Sequence, residues 1–355
     1  MEPALPFDTV ELSSNGREVI ILDQTLLPYQ EKFLHLTTAE QIFYAITLLK
    51  IRGASAIGTL AAMGLAVCIN RFRTKSVADL EKEFYRIKKY LYISRPSAVS
   101  LMWSLDRMEN RFRASLPETG NEGPDAVKAI KKVLLDEAAA IKEDDTSMWA
   151  DLSEHGFSLL SPGGSVLTHG SAGNLSVSRY GTLFRPIYLA LQKGYAIKVY
   201  VDEARPLLDG ARFNAYELMK AGVDATLLCD NAALSLIQQR KIDFIFTSAE
   251  RIAANGDCAS DVGTGVLAVL ASHFRIPFYV LAPCSTIDFN CAEGNEMEPE
   301  MRPSYEVTDM FFGKPMAPKG IEVYNPAFDI IPAGLITGFI TEKGMTKPEE
   351  LEKLR

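Results

Sequence analysis

Residues 247–265, TSAERIAANGDCASDVGTG, leave one short apolar run, Phe244–Phe246, and lead toward another, Phe278–Leu281. The first run predicts a strand, and the polar stretch after it predicts a loop at that strand's C-terminal end. Ligands bind at such ends in an open α/β sheet. The stretch carries three carboxylates, Glu250, Asp257 and Asp261, within twelve residues. A carboxylate in that position can serve as general acid or base. Capping and loop solvation are the ordinary fate of at least one of the three.

Upstream, strand and helix patterns alternate. Strands are expected at Ser165–Thr168, Ile197–Val201 and Ala225–Cys229. Helices are expected at Asn174–Lys193, Leu208–Ala221, Ala232–Gln239 and Gly263–Phe274. A spacing of about 30 residues per strand predicts parallel βαβ units. Residues 1–145 read differently. A short strand at Glu18–Leu22 precedes helical patterns at Thr38–Leu49, Val77–Tyr92 and Ala126–Lys142. The expected fold is therefore α/β: an N-terminal mostly helical domain over 1–145, and a C-terminal Rossmann-like doubly wound parallel sheet over 146–355. The boundary is placed in the polar stretch Glu143–Gly164. The charged end, MTKPEELEKLR, reads as a solvated helix.

Composition narrows the function classes. The 355 residues carry a formal net charge of −8, which argues against nucleic acid as the main partner. No apolar run is read as a membrane span. The N-terminus, MEPALPFDTVELSSNG, does not read as a secretory signal. Five scattered cysteines without a CxxC pair suggest reduced, cytoplasmic thiols. The four histidines form no metal-ligand pattern. The first strand of the second half runs into LTHGSAGNLS, which is neither GxGxxG nor a P-loop, so no nucleotide cofactor is expected.

Several short segments invite a functional reading. In IRGASAIG (51–58), Gly53 and Gly58 permit close backbone approach and Arg52 can fork onto phosphate. A helix-start turn with a surface arginine accounts for it equally well. Arg95 precedes Pro96, which could open a helix and place an anion beside the arginine. In THGSAGN (168–174), Gly170 and Gly173 could offer backbone N–H groups at a helix N-terminus; Ser171 lacks a base partner. Asp209, in DEARPLLDGAR (202–212), reads as a helix cap.

Together with LDQTLLP (22–28), SRPSAV (94–99), AERIAANGD (249–257), IPFYVLAPCSTID (276–288), GNEMEP (294–299) and NPAFDIIPAGLITGFITEKG (325–344), these segments resemble the methylthioribose-1-phosphate isomerase family. Its relatives include ribose-1,5-bisphosphate isomerase and the regulatory subunits of translation initiation factor 2B. The resemblance spans nearly the whole chain. It implies a homodimer and metal-free, cofactor-free aldose–ketose chemistry on a small sugar phosphate. It also implies substrate contacts from Arg52, Gly53, Ala54 and Arg95.

Four positions depart from the family pattern. Gly170 stands where the family has its cysteine, and Glu250 where it has an aspartate. Asp209 replaces a glutamine, and Ser260–Asp261 replace an asparagine–lysine pair. Glu250 keeps an acid but moves it by about one methylene, and a misplacement of about 1 Å can cost 10²-fold in rate. Asp261 reverses a charge where the resemblance implies phosphate. The expected activity is thus isomerase-type, with Glu250 as acid/base, on a sugar derivative fitted to an altered pocket. Orthodox methylthioribose-1-phosphate isomerase is one alternative. A non-catalytic ligand sensor like the initiation-factor subunits is another. Cys258 or Cys284 could stand in for the lost thiol.

Overall fold

The computed structural model describes residues 7–95, 98–118, 123–170, 173–179, 181, 183–298 and 300–355. Pro96 and Ser171 lie outside these. The chain divides into two compact units: Met1–Ser147 with Asn174–Gly181, and Met148–Gly173 with Thr182–Arg355.

The first unit opens with an antiparallel sheet of β1 (Val10–Leu12), β2 (Val19–Leu22) and β3 (Phe33–Leu36). Helices follow: α1 (Ala39–Thr47), α2 (Ala54–Arg71), α3 (Val77–Tyr92), α4 (Val99–Glu118) and α5 (Pro124–Phe157), whose last turns belong to the second unit. The helix starts are written locally. Thr38 caps α1 in a reciprocal capping box with Gln41, and Ser76 accepts the Asp79 N–H to cap α3. α3 is amphipathic and buries Leu80, Phe84, Ile87 and Leu91. α2 has the length and apolarity of a membrane span, but most of it is buried in the protein core. α5 runs on through Glu143 to Phe157, so much of the polar stretch expected to hold the boundary is helix.

The second unit is the doubly wound sheet. β4 (Ser165–His169) leads to α6 (Arg185–Gln192), and β5 (Lys198–Glu203) to α7 (Ala215–Lys220). β6 (Asp224–Cys229) precedes α8 (Ala233–Gln238), and β7 (Phe244–Thr247) is followed by the hairpin β8 (Arg251–Ala253) and β9 (Cys258–Asp261). Then come α9 (Thr264–Phe274), β10 (Phe278–Leu281), β11 (Ile287–Asp288), α10 (Tyr305–Thr308), β12 (Phe328–Ile331), β13 (Gly338–Thr341) and β14 (Gly344–Thr346). The main sheet has the order β14-β13-β10-β7-β4-β5-β6. Its strands are parallel except for β14, which pairs antiparallel at one edge. Central β4 and β7 are almost wholly buried, as parallel strands covered on both faces must be, whereas edge strand β6 is largely exposed.

Four expectations are corrected. Residues 247–265 are not a plain loop: β8 and β9 join β11 and β12 in a second sheet. The helix expected over Asn174–Lys193 begins only at Arg185. Within the first unit, Thr9 Oγ1 donates to the Asn174 carbonyl, Gln24 Nε2 donates to Leu175, and Ser178 accepts from Thr9 and Val10. Those bonds hold Asn174–Ser176 as a 3-10 turn. The helix expected over Leu208–Ala221 starts as a π turn, Gly210–Asn214, before α7. The charged terminus is β14 plus a 3-10 segment, Pro348–Leu354, that buries Leu351 and Leu354.

Candidate active site

The order of the main sheet reverses between β4 and β7: β5 and β6 lie to one side of β4, and β7, β10 and β13 to the other. Such a switch point opens a crevice beyond the strand C-termini. His169 pairs in register with Thr247 there. Gly170 therefore leaves β4 beside the point where Ser248–Glu250 leave β7.

Gly170 has φ 84°, in the region that favours glycine. A Cβ built on it would lie 2.6 Å from Asp261 Oδ2 and 3.3 Å from Asp261 Cβ and Cγ. Asp261 thus fills the space that a side chain at 170 would enter. The two neighbours on β9 face in turn to opposite sides, as strand residues do. Ser260 is buried, donating to the Ser248 carbonyl at 2.7 Å and receiving the Thr264 hydroxyl at 3.2 Å. Its hydroxyl ties the hairpin to the strand end. Glu250 is exposed, and its N–H donates to the Ala259 carbonyl at 2.8 Å, fixing the start of the hairpin.

Behind Gly170 lies a pair that sequence reading did not single out. His169 and Asp202 side chains are fully buried, with Nδ1 and Oδ2 3.4 Å apart. His169 Nε2 is 2.9 Å from the Val262 carbonyl, which only accepts, so Nε2 carries a hydrogen. Burial works against a charged ring. The hydrogen bond and charge of Asp202, the Val262 carbonyl and the charge of Asp261 outweigh it and hold the His169 pKa above its ordinary value. Burial also pushes the Asp202 carboxyl up, opposed in part by His169. A protonated His169 Nδ1 faces Asp202 Oδ2. Glu203, next on β5, has its carboxyl pushed up to about 7 by burial; the charges of Asp209 and Asp230 add to this, while the Ala211 N–H and Arg212 oppose it. Asp202 Oδ1 and Glu203 Oε1 are buried without a hydrogen-bond partner among the described residues. Their sequence signal was only their place at the end of the second strand, next to the reversal in strand order.

Asp209 is buried at the head of the π turn and makes no capping hydrogen bond to it, so the capping expectation is corrected. Asp257 is a structural acid. It accepts from the N–H groups of Ala333 and Gly294 and from Asn255, which hold its pKa down against the effect of burial. The helix N-terminal anion site expected at Gly170 and Gly173 is also corrected, because among the described residues Gly173 is followed by the 3-10 turn Asn174–Ser176 and the α-helix begins only at Arg185. A Cβ at Gly173 would lie 2.2 Å from Glu217 Oε2, so one of the chain's own carboxylates packs against that turn.

Both candidate thiols sit in surroundings that disfavour the thiolate. Cys258 faces the core beside Ile252 and Leu267, and burial pushes its pKa far up. Cys284 is raised too, by burial and then by Glu342. Among the described residues no three His, Cys, Asp or Glu side chains gather as metal ligands.

The remaining predicted residues lie in the first unit. Gly53, with φ 87°, is the N-cap of α2, and a Cβ there would lie 2.0 Å from the Ser176 carbonyl oxygen. IRGASAIG is thus a helix-start turn in which glycine is a packing requirement. Ala54 is the first residue of α2, and its carbonyl receives the Ser100 hydroxyl. Arg52 and Arg95 are both partly exposed.

Fold and site together define a Rossmann-like α/β protein with a carboxylate-rich strand-end site, coupled in sequence to a mostly helical unit. Residues 50–348 match the initiation factor 2 subunit family, IF-2B. The chain belongs to that family. It is 50% identical over 327 residues to a methylthioribose-1-phosphate isomerase of Parabacteroides distasonis, covering 92% of this chain and 96% of the relative. It is 46% identical over 346 residues to a 5-deoxyribose 1-phosphate isomerase of Petrotoga mobilis, covering 98% and 97%. The crystal structure of 5-methylthioribose 1-phosphate isomerase from Pyrococcus horikoshii OT3 superposes with a TM-score of 0.91 at 34% identity, covering 100% of this chain and 98% of that one.

Proposed function

We propose that this protein is an aldose–ketose isomerase acting on a sugar phosphate or a closely related sugar derivative, with Glu250 as its acid/base. The observation that carries this reading is the position of Glu250. It leaves the central strand β7 at the reversal in strand order, in a chain whose relatives at 46–50% identity bear isomerase names. A sugar 1-phosphate cannot open its ring freely, because its anomeric oxygen is esterified. A positioned acid must therefore protonate the ring oxygen. An exposed carboxyl beside the crevice is suited to that transfer.

The pocket is altered in this reading. Gly170 supplies no thiol, and Asp209 and Asp261 add negative charge. The charges favour a substrate whose sugar carries a hydroxyl or cationic group beside Asp261. Arg52, Gly53, Ala54 and Arg95 serve as its substrate-binding residues. The chain works as a homodimer; exposed Val266 and Val269 on α9 provide apolar surface for a second copy.

The test is incubation with methylthioribose 1-phosphate and, separately, 5-deoxyribose 1-phosphate in D₂O, following ketose formation by proton NMR. Conversion of either supports the reading. If a folded protein converts neither one, nor other pentose 1-phosphates, the isomerase reading fails. The absence of a thiol at Gly170 favours one second reading, a ligand sensor. It is supported if the same compounds raise the melting temperature without turnover.

A further inference from the structure

We propose that the Asp261 carboxylate occupies the place of the side chain that Gly170 lacks and serves there as a second proton-handling group. This inference rests on the isomerase reading.

A side chain at 170 and the Asp261 carboxylate in its present position compete for the same space. An added Cβ at 170 would meet Asp261 Oδ2 at 2.6 Å, closer than real Cβ contacts come, before any thiol was attached. The vacated volume is therefore filled by a group that can carry a proton. It is filled from β9, which is hydrogen-bonded on both sides, to β8 and to β12. Phe328 pairs with Asp261 itself. Next to it, the Gly263 N–H donates to Asp329 and Thr264 Oγ1 donates to the Asp261 carbonyl. The backbone beneath the carboxylate is thus held on rigid elements, as a catalytic group requires. Cys258 faces the core, and the Cys284 thiol is hydrogen-bonded to Thr341 and Glu342.

The isomerisation needs two proton-handling groups. In the hydride-shift form, the bond between C1 and the ring oxygen breaks, and its electron pair goes to that oxygen. Glu250 protonates the oxygen. The hydrogen on C2 then moves with its electron pair to C1. Asp261 accepts the proton of the C2 hydroxyl as the C2 carbonyl forms. One proton is given and one is taken, so charge and atoms balance without a further reactant.

Two measurements test the proposal. The first is steady-state kinetics of Asp261→Asn on whichever sugar 1-phosphate the wild type converts. Removing the base while keeping the shape should lower kcat by about 10²-fold or more, with KM changed only a few-fold. The second is a stability cycle of Gly170→Cys, Asp261→Ala and the double variant, read by chemical denaturation. Gly170→Cys should lower the unfolding free energy of the wild type by more than that of the Asp261→Ala background. The positive-φ cost of a side chain at 170 cancels in that comparison. The double variant should also regain at least tenfold of the turnover lost in Asp261→Ala. Wild-type kcat in Asp261→Asn, or equal costs of Gly170→Cys in both backgrounds, would overturn the proposal. An inactive wild type overturns the isomerase reading and the catalytic role with it. An active wild type with an undiminished Asp261→Asn overturns the role alone.

Discussion

His169 and Asp202 meet at 3.4 Å with both side chains fully buried, and His169 ties onward to the Val262 carbonyl at 2.9 Å. The pair thereby joins the end of β4 to the end of β5 and to the turn that follows Asp261. With its pKa raised, folded His169 keeps its proton to a higher pH than the unfolded histidine does. Between an unfolded histidine pKa of about 6.5 and the higher folded value, the native state binds more protons. Stability is therefore fully present below about pH 6.5 and falls as pH rises beyond it. Urea unfolding from pH 6 to 9 should show that decline, with a slope of up to about 1.4 kcal/mol per pH unit. His169→Gln should flatten it. A wild type equally stable at pH 6 and 9 would contradict the raised His169 pKa.

Glu203 titrates in a lower window. Its folded pKa of about 7 stands above the ordinary carboxylate value. The native chain holds that proton between about pH 4.3 and 7 while the unfolded chain loses it. Its contribution to stability is lost as pH rises through that range. Glu203→Gln should make stability less dependent on pH there; an unchanged profile would contradict the shift.

Glu250→Gln should cut turnover by 10²- to 10⁴-fold, in the range of a lost general acid, while the melting temperature stays within a degree or two. The side chain is exposed, so its loss leaves no cavity. Turnover at the wild-type rate would refute its role.

Gly53→Ala places a Cβ 2.0 Å from the Ser176 carbonyl oxygen at φ 87°. Backbone must move, and the cost should be at least about 3 kcal/mol. Gly222→Ala is the control, since its φ is also positive but nothing lies within 4 Å. It should cost about 1–2 kcal/mol. Equal costs would mean that the turn at Asn174–Ser176 yields easily.

In thiol titration of the native protein, exposed Cys229 should react first, and Cys258 only after denaturation. Fast labelling of Cys258 in the folded chain would contradict its burial and its raised pKa.

Strand and helix order was legible because buried parallel strands read as apolar runs whatever surrounds them. Phe278–Leu281 is β10 to the residue, and Val77–Tyr92 is α3. Capping residues such as Ser76 act within one turn, so those boundaries could be read from sequence too. The turn at Asn174–Ser176 could not, because its partners Thr9 and Gln24 lie 165 and 151 residues away in the chain. The hairpin in 247–265 was hidden for the same reason, since β8 and β9 complete a sheet with β11 and β12.

By itself the sequence determined the α/β class, the family resemblance, and the residue types at Gly170, Glu250 and Asp261. Only the tertiary structure decided that Asp261 fills the space beside Gly170, that His169 and Asp202 share a buried site, and that Cys258 faces the core. Residue type and periodicity are properties of neighbours along the chain. Volume exclusion and desolvation depend on which distant segments the fold brings together.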